Sequence, residues 1–256
     1  MADERNHPRQ RRALAHAFSK RALMEQEDIL LGYVRKFISR LEGFARDGTP
    51  VNLVNWFNYT TFDIIGDLSF GEPFGCLAEG EGSESAHWVV LIYESIKSGA
   101  IEQATRRFAR AGSLLQREKT IRRMETPTDH KDFLWYILRQ REKKNEVSDD
   151  EVIMNAALFI VAGSETTATL LRGIMNQLLR NKAIFEKLKA EIRGSIKTAD
   201  DLVMANLEKL PYMDACLEEA LRIFPPVPVG LLRIVPEGGS MIDGHFIPAG
   251  VSIREC

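Results

Sequence analysis

Between Leu30 and Phe44 the apolar residues recur at alternating steps of four and three: Leu30, Val34, Phe37, Leu41 and Phe44. That rhythm predicts one helix with a single buried stripe. Pro8 suits the first turn of a short helix before it, running to about Phe18. Ser19 can cap the next. Asp47-Gly48-Thr49-Pro50 supplies a stop. A further helix is predicted over about Val54 to Phe70, closed by Gly71-Glu72-Pro73. Residues 75–85, rich in Gly, Ser and Glu, read as a loop. Helices are predicted to follow around 86–99, 101–124 and 130–144.

Ser148-Asp149-Asp150-Glu151 fits a capping box, in which the hydroxyl serves a backbone N–H and the acid reaches back. From there a helical pattern persists to Arg180, with Asn181 as the stop. At 1.5 Å per residue that helix is roughly 50 Å long. Its middle, Ile153 to Val161, is apolar nearly all round, which predicts a path through the centre of the protein. Another helix is expected over 182–196. Pro211 opens one more, which carries Glu219 and Arg222 and which Pro225-Pro226 closes. The pattern then changes. Leu231 to Val235 and Met241 to Ile247 read as short strands, and Asp243-Gly244 marks a tight hairpin. The fold class expected is mainly α, with a long central helix and a small β portion near the C-terminus.

Composition adds little to this picture. Hydrophobic residues make up 45% and charged residues 27% of the 256, and the formal net charge is −2. Nothing there implies a strong pull toward nucleic acid or an anionic membrane. The longest uninterrupted apolar run, Ala156 to Ala162, has seven residues, against ~18–20 for a bilayer span. The N-terminus has no apolar signal region. The expectation for the chain as given is a soluble, cytoplasmic protein. Cys76, Cys216 and Cys256 lack paired spacing, so neither a disulfide framework nor a zinc site is expected. The cluster Arg9-Gln10-Arg11-Arg12 reads first as a solvated helix face.

Two places carry chemistry. In Ala162-Gly163-Ser164-Glu165-Thr166-Thr167 an acid sits in an otherwise apolar helix, where a carboxylate costs several kcal/mol unless solvated or paired. A Thr beside it can bond the carbonyl a turn back and open the helix locally. Gly163 removes bulk and lets a flat ligand approach. The result is either a notch with a proton relay at its edge or an ordinary kink with a Thr-rich packing face. Glu219 and Arg222 are three apart and share a helix face. Exposed pairs of this kind are common and weak. The prolines and the extended segment holding Arg233 that follow argue for a buried pair pinning irregular backbone.

With these motifs, Phe224-Pro225-Pro226-Val227-Pro228 and Asp243-Gly244-His245-Phe246-Ile247-Pro248-Ala249-Gly250, the chain resembles the cytochrome P-450 family, specifically its fungal microsomal-type haem-thiolate monooxygenases of secondary metabolism. Ala162 to Thr167 looks like the oxygen-activating motif, and Glu219-Ala220-Leu221-Arg222 matches E-x-x-R. The resemblance runs along nearly the whole chain. It implies that Glu165 and Thr166 are catalytic, delivering protons toward dioxygen on a haem b. It implies that Ala162 and Gly163 lie against the haem, and that His7, Arg11 and Arg233 bind its propionates. His7 stands where many relatives carry Trp, though an imidazole can also donate to a propionate. Glu219 and Arg222 would be structural. The basic cluster at 9–12 would lie near the face where an NADPH-dependent reductase docks. The substrate implied is a lipophilic small molecule, such as a terpenoid or polyketide.

The resemblance also implies an axial Cys in a F-x-x-G-x-R-x-C-x-G loop after the hairpin. No such pattern occurs in these residues, so no metal ligand is assigned. Residues 1–256 are therefore expected to form a partial domain of the family, without the N-terminal anchor, the first sheet or the Cys loop. Residues of about 100 to 120 resemble a short substrate-access roof. Full-length relatives are expected at the endoplasmic reticulum membrane. Two other readings stay open: a catalytically dead fragment without the thiolate, and a cofactor-free helical interaction protein.

Overall fold

The computed structural model describes residues 6–80, 117–144, 147–228 and 232–254. The helix predicted over 86–99, the start of that over 101–124 and the rest of the 75–85 loop lie outside the described residues. The described helices are α1 (Asn6–Ala15), α2 (Lys20–Glu25), α3 (Glu27–Asp47), α4 (Leu53–Phe70) and α5 (Cys76–Glu79). They continue as α6 (117–125), α7 (Phe133–Lys144), α8 (Asp149–Arg180), α9 (Lys182–Ser195), α10 (Met204–Leu207) and α11 (Pro211–Ile223). The strands are β1 (Leu232–Ile234), β2 (Ser240–Ile242), β3 (His245–Ile247) and β4 (Ser252–Arg254).

Most boundaries follow local chemistry. The Ser19 side chain accepts the Ala22 N–H at the head of α2. Gly48 and Gly71 end α3 and α4 at φ 66° and 72°, a left-handed region where a Cβ is penalised. Asp243 and Gly244 turn the β2–β3 hairpin at φ 48° and 77°, as a two-residue turn with both centres positive requires. Other details differ from expectation. Gln26 interrupts the helix predicted after Ser19. Val34, placed on the buried stripe of α3, is exposed, and Tyr33 is the residue buried there. The loop after Gly75 begins with the short α5, and β4 was not foreseen. It pairs antiparallel with β1, with Arg233 opposite Ile253. Such three-residue pairings leave almost no periodic signal.

The core forms where α4 crosses α8, the most extensive contact between described helices. From Trp56 to Asp63 every residue of α4 is buried. Its β-branched and aromatic residues are indifferent helix formers, so burial rather than propensity holds it. Each fully buried large side chain contributes about 1.5–3 kcal/mol. Thr60 and Thr61 return their hydroxyls to the carbonyls of Trp56 and Phe57, at 2.7 and 3.0 Å. Two acids sit deep in this core. Asp63 accepts the N–H groups of Cys76 and Leu77, at 3.1 and 2.8 Å, and so caps α5. Asp132 takes a fork from Arg123, Nε to Oδ2 at 2.6 Å and Nη2 to Oδ1 at 3.1 Å. Burial pushes both carboxyls above the usual range, against the hydrogen bonds that favour their charged forms.

Among the described residues one helix, α8, is long and apolar enough to cross a membrane, with a mean hydropathy of 1.3 over an 18-residue window. The short length of its uninterrupted apolar run had hidden this. In the structure α8 packs against α4, α7, α9 and α11.

Candidate functional site on the central helix

The capping box forms as expected at the start of α8, and Glu151 does more than cap. It accepts Gln10 Nε2 at 2.9 Å and both terminal nitrogens of Arg9. Arg9 is the main reason the Glu151 carboxyl falls from 4.5 to about 2. Part of the basic cluster in α1 is thus a clasp on α8 and not a solvated face. Farther along, Phe18 meets Phe159 and Phe133 with ring centroids 5.4 and 4.7 Å apart. These contacts align the turn after α1 with the middle of α8.

The motif itself divides between two faces. A Cβ on Gly163 would lie 2.5 Å from Ile65 Cδ1. The missing side chain therefore admits α4, and the room the sequence argument gave to a flat ligand is filled by a helix. Ala162 is exposed, in line with Leu158 and Met154, which are 60% and 69% exposed. Positions four apart share a face, so these three make an open apolar strip. The helix thus has a bare side as well as the buried course that its all-round apolarity predicted.

Thr166 donates its hydroxyl to the Ala162 carbonyl at 2.6 Å. The bond forms as predicted, but α8 stays α-helical from Asp149 to Arg180, without the expected local opening. Ser164 makes the same bond to Ile160, at 2.7 Å, from a buried position. Glu165 turns to partners the sequence reading missed. Its Oε1 accepts the Thr169 hydroxyl at 3.0 Å and Arg172 Nη2 at 3.0 Å, and Arg172 also donates to Thr169. The available signal was spacing: positions 165, 169 and 172 lie one and two turns apart on one face. The other oxygen, Oε2, is buried with no hydrogen-bond partner among the described residues.

The remaining assigned residues lie elsewhere. His7 and Arg11 are exposed on α1. Arg11 stands two residues from Arg9, about 200° round the helix, so it points away from the clasp. Arg233 is exposed on β1. Glu219 and Arg222 form the expected fork, at 2.6 and 2.8 Å, but their side chains are 54% and 71% exposed. The expectation of a buried pair is corrected. The pair stands mostly in solvent on α11, with Glu219 at the lining of the groove that α11 forms with α8 and α9. Cys76 is fully buried and its thiol is pushed up by desolvation. Cys216 lines a groove of about 250 Å³ between α8, α9 and α11, with Ile174, Leu178, Tyr212 and Ile223. Cys256 lies outside the described residues.

The chain matches the Cytochrome P450 family model over residues 1–254 and belongs to that family. It is 44% identical over 272 residues to Cytochrome P450 monooxygenase astJ of Aspergillus oryzae, covering 98% of this chain and 53% of that protein. It is 40% identical over 277 residues to Cytochrome P450 monooxygenase aba2 of Botryotinia fuckeliana, covering 99% of this chain and 52% of that one. The chain therefore spans about half the length of these curated relatives.

The family implies haem. The strip of Met154, Leu158 and Ala162 fits the apolar face of such a group, and the unpartnered Glu165 oxygen fits a polar role at its edge. Neither described cysteine is placed to serve as its thiolate, Cys76 being fully buried at the first position of α5 and Cys216 opening on the α11 groove.

Proposed function

We propose that this chain is part of a haem-dependent monooxygenase that hydroxylates a lipophilic small molecule in fungal secondary metabolism. The observation that carries the reading is the juxtaposition on α8 of the open strip ending at Ala162 with the polar pair Glu165 and Thr166. In this reading Leu158 and Ala162 seat one face of the haem, and His7, Arg11 and Arg233 meet its propionates. Haem, when bound, supplies the activation of dioxygen. Electrons come from NADPH through a reductase, at the endoplasmic reticulum membrane.

What the chain's own residues do is handle protons and exclude water. The Thr166 hydroxyl, held on the Ala162 carbonyl, keeps its oxygen available as an acceptor within the helix groove. Glu165 presents a carboxylate oxygen that can take and release a proton. Once haem covers it, the apolar strip would exclude water beside Ala162, where Leu158 and Met154 now stand exposed. Glu219 and Arg222 would be structural, becoming covered only when further chain packs on α11. The relatives are named as monooxygenases, which supports the reaction class.

The test is haem spectroscopy on the protein encoded by the whole transcript, with Thr166→Ala beside the native form. Substitution should uncouple oxygen consumption from product formation. Unchanged coupling would remove Thr166 from the relay. A second reading, a chain that never takes up haem, is favoured by the placement of Cys76 and Cys216, and predicts no thiolate-type absorption band at all.

A further inference from the structure

We propose that Arg172 is a positioning residue for Glu165, fixing which carboxylate oxygen is available to carry a proton. The proposal rests on the reading of Glu165 as a proton-handling residue. Arg172 lies seven positions after Glu165, two turns along the same face of α8. Its Nη2 reaches Glu165 Oε1 at 3.0 Å, and Thr169 reaches the same oxygen at 3.0 Å. Arg172 also donates to the Thr169 hydroxyl. The three side chains close a ring in which the Thr169 hydroxyl donates its one O–H to Glu165 and accepts from Arg172. Both donors converge on Oε1, and Oε2 is left buried and unpartnered among the described residues.

The chemistry follows from that asymmetry. A guanidinium does not lose its proton in this pH range, so it balances the carboxylate charge without competing as a proton donor. Glu165 and Arg172 are 22% and 23% exposed, so solvent only partly screens the pair. With Oε1 held, rotation of the carboxylate is blocked and a proton enters and leaves at Oε2. Because Oε2 is sealed from solvent here, the step requires a water admitted on that side when haem binds: that water gives Oε2 its proton, a second water there takes it, and Glu165 ends each cycle as it began. Without Arg172 the carboxylate is free to rotate or to hydrate, and the exchange loses its fixed site. Thr166 belongs to a different face, since adjacent residues stand 100° apart. Arg172 is therefore turned to Glu165 and Thr169, and not to Thr166.

Two measurements test this. The first uses the 256-residue chain and needs no haem. An infrared difference spectrum between native protein and Glu165→Gln isolates the Glu165 carboxylate bands. Arg172→Gln should move them, and Arg172→Lys, which keeps the charge but not the Nη2 that reaches both Glu165 and Thr169, should restore them in part. Bands unmoved by Arg172→Gln would overturn the proposal.

The second uses the haem-loaded protein from the whole transcript and reads product formed per dioxygen consumed, across pH. Glu165→Gln and Arg172→Gln should each lower that ratio ~10-fold or more, with similar pH profiles. The double variant should be no worse than either single one. If Glu165→Gln uncouples but Arg172→Gln does not, the positioning role fails and the reading of Glu165 stands. If Glu165→Gln itself changes nothing, the reading fails, and Arg172 falls with it whatever the infrared bands show.

Discussion

Arg123–Asp132 and Arg222–Glu219 are the same bond in opposite surroundings. Each is a fork in which Nε and one Nη meet the two carboxylate oxygens, at 2.6 and 3.1 Å in the first and 2.6 and 2.8 Å in the second. The first pair is 7% and 0% exposed, the second 71% and 54%. The sequence marked the exposed pair, because it lies on one helix face within a known motif. It was silent on the buried one, whose partners stand nine residues apart across a turn. Geometry alone therefore does not rank ion pairs. What surrounds them does, through the cost of leaving one partner unpaired away from water.

The comparison breaks most sharply at Arg123. Arg123→Ala strands the Asp132 carboxylate in the core and should cost about 3–5 kcal/mol, read from urea unfolding. Replacing both by apolar residues of similar volume should recover most of that loss. A small effect of the single change would mean that the core hydrates easily and that the contrast with α11 is false.

Next comes the crossing of α4 and α8. Gly163→Val drives a Cβ into Ile65 and should cost about 1–3 kcal/mol. Ala162→Val, one residue away on the open strip, should stay within about 0.5 kcal/mol. Equal costs would show that the strip is not open in solution.

The Arg9–Glu151 clasp lies between the extremes, with side chains 30% and 23% exposed. Glu151→Gln should destabilise by about 1 kcal/mol near neutral pH, as loss of a capping interaction does. The Glu151 carboxyl is held down at about 2 from an ordinary 4.5, chiefly by Arg9. A depressed carboxylate stabilises the fold above its unfolded value and loses that contribution on protonation. The gap between native and variant should therefore hold from neutral pH down to about 4.5 and close by about 2. A gap that persists at lower pH would assign the effect to packing.

The smallest effect is expected at Arg222. Arg222→Ala should leave the urea midpoint of this chain where it is, because both partners already stand in water. If the pair acquires its structural role only when further chain covers α11, the same substitution should abolish haem retention in the whole protein. Normal haem content would remove that role.

Much of the architecture was legible because its signals are local. The capping box at Ser148, the stop at Gly48, Pro211 opening α11 and the Asp243-Gly244 hairpin each follow from backbone chemistry within a few residues. Val34, Gly163 and Arg172 were misread or missed for the opposite reason. Which face of a helix is covered depends on a neighbour distant in sequence. Gly163 looked like room for a ligand until Ile65 of α4 occupied it.

The sequence by itself determined where helices start and stop, the order of the motifs and, with them, the family, because periodicity and capping are properties of short stretches. Only the tertiary structure decided the surroundings. It buried one arginine fork and exposed the other, left Met154, Leu158 and Ala162 open, and turned Glu165 toward Arg172. Burial, and with it the strength of every charge, depends on what the rest of the chain places nearby, and no short stretch carries that information.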